Sequence, residues 1–207
     1  MFDDLSDFIT CLEEKKQLVR ISTPVSSELE ITEIADRTIK NNGPALLFEN
    51  VDDKNIPVVI NLFGSEERMA LALGVDNLNE LSGVANKLID LTKNPPKSII
   101  DKVKILNELI NLSKSSPKLV KKAPCQDFVL TGDKINLFEL PILKCWPDDA
   151  GKFITLPLVI TRNVNTGQRN VGTYRMQIYD KTTTGMHWQT HKVGTAHFRK
   201  AKEQAQE

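Results

Sequence analysis

Residues 169–191 hold most of the side chains in this sequence that could do polar chemistry at short spacing: Asn170, Arg175, His187, Gln189 and His191, with Trp188 and Lys192 beside them. Arg175 carries a planar guanidinium fork that fits a carboxylate or a phosphate through two parallel hydrogen bonds. It is equally readable as a surface arginine on a strand. His191 offers a neutral imidazole, and Asn170 an amide oxygen, to a divalent cation such as Mg or Mn. A lone histidine on a strand is more often not a ligand, and Asn170 is also explained as a residue following the turn at Gly167. Period-2 alternation puts His187, Gln189 and His191 on one face of a strand. Three such side chains line a pocket or form the wet face of an antiparallel sheet. Trp188 is a slab suited to stacking on a planar ligand or to filling a core. Asn170 and Arg175 are an odd number of residues apart, so a regular strand sends them to opposite faces. A bulge at Gly172, which has no side chain, would let both reach one site.

The elements that must position these residues fall into two parts. In the first, Leu5, Phe8, Ile9 and Leu12 follow helical spacing, and residues 17–21 read as a short strand stopped by Thr23-Pro24. Ser27-Glu28-Leu29-Glu30 predicts a capping box for a helix striped by Ile31, Ile34, Ala35, Thr38 and Ile39, ended by Asn41-Asn42-Gly43-Pro44. Residues 45–51 and 57–63 predict strands joined by a turn at 52–55. Ser65 caps a short helix that ends at Gly74. Further helices carry Leu78, Leu81, Ala85 and Leu88, then, after the break at Asn94-Pro95-Pro96, Ile99, Ile100, Val103, Leu106 and Ile110. The polar run 113–118 reads as a linker. The second part is mostly β, with strands at 128–131, 153–162, 169–179 and 186–191, and a helix from about His197 onward. The expected architecture is an α/β domain over residues 1–117 followed by a β barrel or sandwich over 118–207.

The chain has 207 residues, 27 Lys plus Arg and 27 Asp plus Glu, for a formal net charge of zero. That balance argues against bulk electrostatic capture of nucleic acid. Residues 87–122 contain nine lysines, but no aromatic residue interleaves them, so a solvated helical face is the expectation. Cys11, Cys125 and Cys145 have neither Cys-x-x-Cys nor Cys/His ligand spacing and read as reduced thiols, which points to the cytoplasm. Neither a signal peptide nor a transmembrane helix is expected. Gly-x-Ser-x-Gly, P-loop, Gly-x-Gly-x-x-Gly and His-Glu-x-x-His motifs are absent, which leaves serine hydrolase, P-loop NTPase, Rossmann and zincin readings unsupported.

Several segments, in order along essentially the whole chain, resemble the UbiD family of decarboxylases. They are Gly43-Pro44-Ala45-Leu46-Leu47-Phe48-Glu49-Asn50-Val51, Asn61-Leu62-Phe63-Gly64-Ser65, Leu140-Pro141-Ile142 and Trp146-Pro147-Asp148-Asp149-Ala150-Gly151-Lys152-Phe153-Ile154-Thr155. Asn170-Val171-Gly172-Thr173-Tyr174-Arg175 and His187-Trp188-Gln189-Thr190-His191-Lys192 are similar to the family's cofactor signature. The resemblance implies an N-terminal α/β domain followed by part of a flavin-binding split β-barrel. It implies prenylated FMN, a divalent metal (Mn is usual) and, in some members, potassium. Carried over by motif, Asn170 and His191 are metal ligands; Thr173, Tyr174, Arg175, His187, Trp188, Gln189, Lys192 and Val193 contact the cofactor; and Arg175 is also catalytic. The glycine that follows the second strand of the signature stands one place later here, at Gly194. The implied reaction is decarboxylation of an aromatic or α,β-unsaturated acid, such as a polyprenyl-hydroxybenzoate in quinone synthesis. A lipophilic substrate of that kind would bring the protein against a membrane surface peripherally. The third metal ligand and the proton-donating acids of the family lie in segments further along than this sequence runs. The expectation is therefore an enzyme portion that works as a homo-oligomer or with a C-terminal partner. The alternative is a non-catalytic flavin-binding or assembly module. An incomplete barrel is also expected to expose apolar surface and to self-associate.

Overall fold

The computed structural model describes residues 2–80, 82, 83, 86 and 120–204. The helix expected over 99–110, the linker 113–118 and most of the lysine-rich stretch lie outside the described residues. The fold is mixed α/β. One compact unit takes in residues 9–64 and 132–207, and a second takes in 65–131 with the first eight residues.

Helix α1 (Leu5–Glu14) has only its residues from Ile9 in the larger unit; there strand β1 (Leu18–Ile21) runs through helix α2 (Glu30–Lys40) to strand β2 (Ala45–Phe48), and β1 and β2 pair in parallel. Parallel pairing needs a crossover, and α2 supplies it. Strand β3 (Val58–Ile60) pairs antiparallel with β2, so the order is β1-β2-β3. Every residue of the central strand β2 is buried, as its unbroken Ala-Leu-Leu-Phe run demands. Ile31, Leu46, Phe48 and Val51 form the core with Val25 and, from the second half of the chain, Leu143. Main-chain bonds reinforce that link. Leu29 N–H donates to the Lys144 carbonyl at 2.9 Å, and Lys144 N–H donates to the Ser27 carbonyl at 3.1 Å.

The cap of α2 differs from the expected box. Leu29 occupies the cap position with φ 66° and no side-chain cap bond. Glu30 accepts the Ser26 N–H at 2.7 Å, but Ser26 Oγ accepts the Glu28 N–H at 3.0 Å and not that of Glu30, so the reciprocal pair of a capping box does not form. Ser27 is occupied elsewhere. It is 1 % exposed, donates its hydroxyl to Asp52 and receives Lys152 Nζ at 2.6 Å. Burial pushes the Asp52 carboxyl up, but the Ser27 hydroxyl and amide and the Lys152 ammonium outweigh it and hold it below the usual carboxylate range. The stabilisation from a depressed carboxyl is present above its unfolded value, ~3.9, and is lost as pH falls through the lower folded value. Acid unfolding followed by circular dichroism is therefore expected to begin at higher pH in Lys152→Met than in the wild type. Coincident acid transitions would show that this triad carries no pH-dependent stability.

In the smaller unit, helix α3 (Glu66–Leu73) matches its sequence signals. Ser65 accepts the Arg68 N–H at 3.2 Å, and Gly74 closes the helix at φ 68°. The strand expected over 128–131 does not form, and Phe128 is 93 % exposed. A short run such as Phe128-Val129-Leu130-Thr131 makes a strand only where a partner strand accepts it.

The later strands of the larger unit are divided more finely than expected. The run 153–162 splits at Pro157 into β4 (Phe153–Ile154) and β5 (Leu158–Arg162). The run 169–179 splits at Tyr174-Arg175 into β6 (Arg169–Thr173) and β7 (Met176–Ile178). The strand expected over 186–191 does not form: strand β8 (Thr184–Met186) lies earlier and shares only Met186 with it, and helix α4 (Val193–Glu203) begins four residues before His197. Strands β4, β7 and β8 make one antiparallel sheet, and β5 and β6 make a separate hairpin. No closed barrel exists among the described residues.

Helix α4 packs on one face of the β5–β6 hairpin, where Val159, Thr161, Asn170 and Gly172 lie. The other face presents Leu158, Ile160 and Val171, 74 %, 66 % and 57 % exposed. A two-stranded ribbon with one bare apolar face offers a surface on which self-association is expected. Ile160→Lys is expected to shift sedimentation toward the monomer. An unchanged, concentration-dependent profile would place the self-association elsewhere.

Candidate functional site

The change of sheet between β6 and β7 builds the site. Strand β6 pairs with β5 up to Thr173, and the chain then turns through Tyr174 and Arg175 before Met176 pairs with Ile154 and Met186. The register of β6 is unbroken at Gly172, so the expected bulge is absent. The corner two residues later is what takes Arg175 out of the β6 alternation. Gly172 serves another purpose: a Cβ there would lie 2.6 Å from Tyr174 Cε2.

Thr173, Tyr174 and Arg175 at this corner, His187 and Gln189 after β8, and Lys192 before α4 line one cavity of about 370 Å³. Of the ten residues singled out in the sequence, six converge here. Residues 187–189 follow β8 outside any strand, with His187 and Gln189 exposed and Trp188 half-buried between them. Trp188 is turned inward, 5.7 Å from the Tyr174 ring and stacked on Phe198 at 5.3 Å and 20°. It supports the cavity wall without lining it. Val193 is the first residue of α4, and His191 is exposed in the turn before it, off the strand face on which alternation would put it. Neither lines the cavity.

Tyr174 is 4 % exposed, and its hydroxyl accepts the Gly194 N–H at 2.8 Å. This bond pins the start of α4 to the β6–β7 corner. It also explains the position of Gly194, where a Cβ would sit 2.5 Å from the Tyr174 hydroxyl oxygen.

Arg175 is held on three sides. Its carbonyl accepts the His187 N–H at 3.0 Å, its Nη2 donates to Asp149 Oδ2 at 2.6 Å, and its guanidinium lies 3.6 Å from the centroid of the Phe153 ring. The hydrogen bond and charge of Arg175 hold the Asp149 carboxyl below the usual range. Arg175 keeps 38 % of its side chain accessible, so the fork still faces the cavity.

Asn170 lies across the hairpin from Thr161, on the face that α4 covers. Its Nδ2 is buried without a hydrogen-bond partner. Thr161 Oγ1 is 3.0 Å from Nδ1 of His197, which is 7 % exposed. Sequence reasoning missed His197. The available signal was the Gly194-x-x-His197 spacing, which marks the inner face of a helix starting earlier than expected. Among the described residues no cluster of three His, Cys, Asp or Glu side chains is placed to hold a metal ion.

The resident chemistry is that of an anion site. Arg175, Lys192 and the adjoining N-terminus of α4 supply positive charge, and Thr173 and Gln189 supply neutral hydrogen-bonding groups. An aromatic floor, Tyr174 over Trp188, lies beneath. This combination suits a planar, negatively charged ligand. No helix among the described residues is long and apolar enough to cross a membrane, and the three cysteines are free.

Two family models match the chain. The N-terminal domain of 3-octaprenyl-4-hydroxybenzoate carboxy-lyase matches residues 9–88, and the Rift-related domain of the same family matches residues 118–207. An uncharacterized protein of Archaeoglobus fulgidus is 47% identical over 202 residues, covering 98% of this chain and 40% of that protein. Vanillic acid decarboxylase of Sedimentibacter hydroxybenzoicus superposes with a TM-score of 0.77 at 30% identity, over 99% of this chain and 41% of that one. An evolved dimeric form of the UbiD-class enzyme HmfF from Pelotomaculum thermopropionicum, in complex with prFMN, gives 0.75 at 26% identity, over 98% and 42%. The chain thus spans about 40% of the length of the curated relatives it matches.

Proposed function

Because the chain belongs to the UbiD (3-octaprenyl-4-hydroxybenzoate carboxy-lyase) family, we propose that it is the N-terminal portion of a decarboxylase that uses prenylated FMN and a divalent metal on an aromatic or α,β-unsaturated acid. The observation that carries this reading is the convergence of Thr173, Tyr174, Arg175, His187, Gln189 and Lys192 on one cavity.

The residues present fit a flavin. Lys192 and the start of α4 favour its phosphate, and Thr173, His187 and Gln189 offer hydrogen bonds to polar groups of the ring and tail. Trp188 and Val193 belong to the same cofactor set, Trp188 by fixing Tyr174 and Val193 by opening α4. When bound, prenylated FMN supplies an electron sink for the pair released as the carbon–carboxylate bond breaks. Arg175, braced by Asp149 and Phe153, binds the substrate carboxylate in the cavity and orients it for loss of carbon dioxide. Reprotonation of the product carbon requires a carboxylic acid, assigned by resemblance to segments beyond those matched here.

For the metal, Asn170 and His191 are the proposed ligands in this chain on the family motif; the buried atom of Asn170 without a partner is its Nδ2 donor, and the amide oxygen is the atom that would meet the cation. A hard divalent ion takes about six donors, so these two residues would supply only part of the set. Potassium joins the same site in this reading. The complete protein then works as a homo-oligomer or with a C-terminal partner that supplies the missing acids.

The test is titration of the chain with prenylated FMN, with and without Mn, followed by flavin fluorescence. Metal-dependent binding that His191→Ala weakens about tenfold or more supports the half-site. This is the size expected for losing one ligand-mediated contact. Absence of binding by a folded chain would sink the reading. Binding without any carbon dioxide release when the downstream portion is supplied would favour a non-catalytic flavin module.

A further inference from the structure

The side chains around Arg175 go beyond anything the family match assigns to this chain. A guanidinium has five N–H donors in a fixed fork on a long, flexible stem. For such a group to meet a carboxylate in one geometry, something else must fix the stem. Here Asp149 Oδ2 accepts from Nη2 at 2.6 Å, and the Phe153 ring lies 3.6 Å beneath the guanidinium carbon. Asp149 is the more deeply placed partner, with 11 % of its side chain accessible against 38 % for Arg175. Asp149 is itself fixed, because Oδ2 also accepts the Trp146 N–H at 3.2 Å and the Asp149 N–H donates to the Trp146 carbonyl at 3.1 Å. Phe153 is fixed by pairing with Gln177 across β4 and β7. The anchor and the ring thus come from rigid main chain, and only one nitrogen of the fork is bonded to Asp149. The remaining donors stay available to the cavity that Arg175 lines.

We propose that Asp149 is a positioning residue for the decarboxylation. With the Phe153 ring it locks the Arg175 guanidinium in the orientation that receives the substrate carboxylate. The inference rests on the proposed function for its catalytic part, but the lock itself is a property of this chain without any cofactor. A fork held at one nitrogen and one face cannot turn its free edge away from the cavity, so the entropy of aligning it is removed before substrate arrives.

Two measurements separate the inference from the reading beneath it. The first uses the chain alone. The Nε–H signal of Arg175 in a nitrogen–proton correlation spectrum at neutral pH should be sharp and slow to exchange in the wild type. It should persist, weakened, in Asp149→Asn, which keeps an acceptor for both Trp146 and Arg175. In Asp149→Ala and Phe153→Leu it should broaden into exchange, with each melting transition still cooperative. A wild-type signal in fast exchange, or one unchanged in Asp149→Ala, overturns the lock whatever the flavin does. The second uses the complete carboxy-lyase. Loss of an acceptor for a charged donor corresponds to roughly 10- to 100-fold, so kcat/KM should fall in the order wild type, Asp149→Asn, Asp149→Ala. Most of the loss should lie in KM for the carboxylate, while prenylated FMN is retained. Equal kcat/KM in all three, with flavin bound, overturns the positioning role. Failure of the wild type to bind flavin overturns the proposed function and leaves the spectroscopic result standing.

Discussion

Arg175→Ala is expected to lower kcat/KM for carbon dioxide release by about 100- to 1000-fold, the loss expected when the charged, bidentate contact that binds and orients the departing carboxylate is removed. The measurement is made with the downstream portion of the relatives that this chain does not match supplied beside it, as the proposed function requires. The size of the effect follows from the place of the side chain. Arg175 lies in the lining of the cavity, its stem fixed by Asp149 and Phe153, with part of its fork still accessible. Alanine removes the charge and also leaves Asp149, which is largely shielded, without its cation. Arg175→Lys separates these effects. A lysine ammonium restores the charge near Asp149 but cannot bridge two oxygens with parallel bonds, so it should recover folding fully and activity only in small part. If Arg175→Lys matched the wild type, bidentate recognition of the carboxylate would be wrong and a point charge would suffice. If Arg175→Ala left carbon dioxide release intact, the residue would be a structural partner of Asp149 and nothing more.

The legible and the illegible parts of this chain differ in how local their causes are. Helix α2 and the strands on either side of it follow from apolar spacing that a single segment carries: Ile31 and Ala35 on one stripe, and an all-apolar run over 45–48. The end of α3 at Gly74 follows from one residue type in one backbone conformation. Strand breaks in the second half depend on which sheet each piece joins. Residues 153–162 and 169–179 have continuous strand character, yet each divides between two sheets. Pro157, which lacks an N–H for a ladder, was a usable signal for the first division. For the second no composition marks Tyr174-Arg175 as a corner. The corner exists because Tyr174 must reach back to Gly194, 20 residues on. The same long-range bond explains why alternation failed at His191. The chain leaves β8 after Met186 so that α4 can begin at Val193. Six of the cavity positions were identifiable by motif, but Asp149 and His197 were not singled out. Their roles come from partners 26 and 36 residues away in sequence.

Gly194→Ala is expected to destabilise the chain by about 2–4 kcal/mol, combining overpacking of ~1–3 kcal/mol with a lost buried hydrogen bond of ~1 kcal/mol, and to weaken flavin binding by at least tenfold. Urea denaturation and flavin titration measure the two effects. The added Cβ would stand 2.5 Å from the Tyr174 hydroxyl oxygen, 2.8 Å from Cζ and 3.2 Å from Trp188 Cζ3. The ring has nowhere to go. Gly172 also lies against the ring, so closely that a Cβ there would be 2.6 Å from Cε2, and Trp188 is itself stacked on Phe198. Relief must therefore come from α4 or from the corner carrying Thr173, Tyr174 and Arg175, and either movement reshapes the cavity. Gly185→Ala is the matched control. Its Cβ would approach the Tyr179 hydroxyl even more closely, at 2.1 Å, but Tyr179 is 61 % exposed and can swing into solvent. That substitution should cost less than about 0.5 kcal/mol, as surface changes usually do. Combining Gly194→Ala with Tyr174→Phe should recover part of the stability and not all of it, because the hydroxyl oxygen is gone while Cζ remains. A Gly194→Ala chain as stable as the wild type would show that the Tyr174 ring is not clamped. The cavity would then depend on the turn at residues 190–192 and not on the aromatic bracket beneath it.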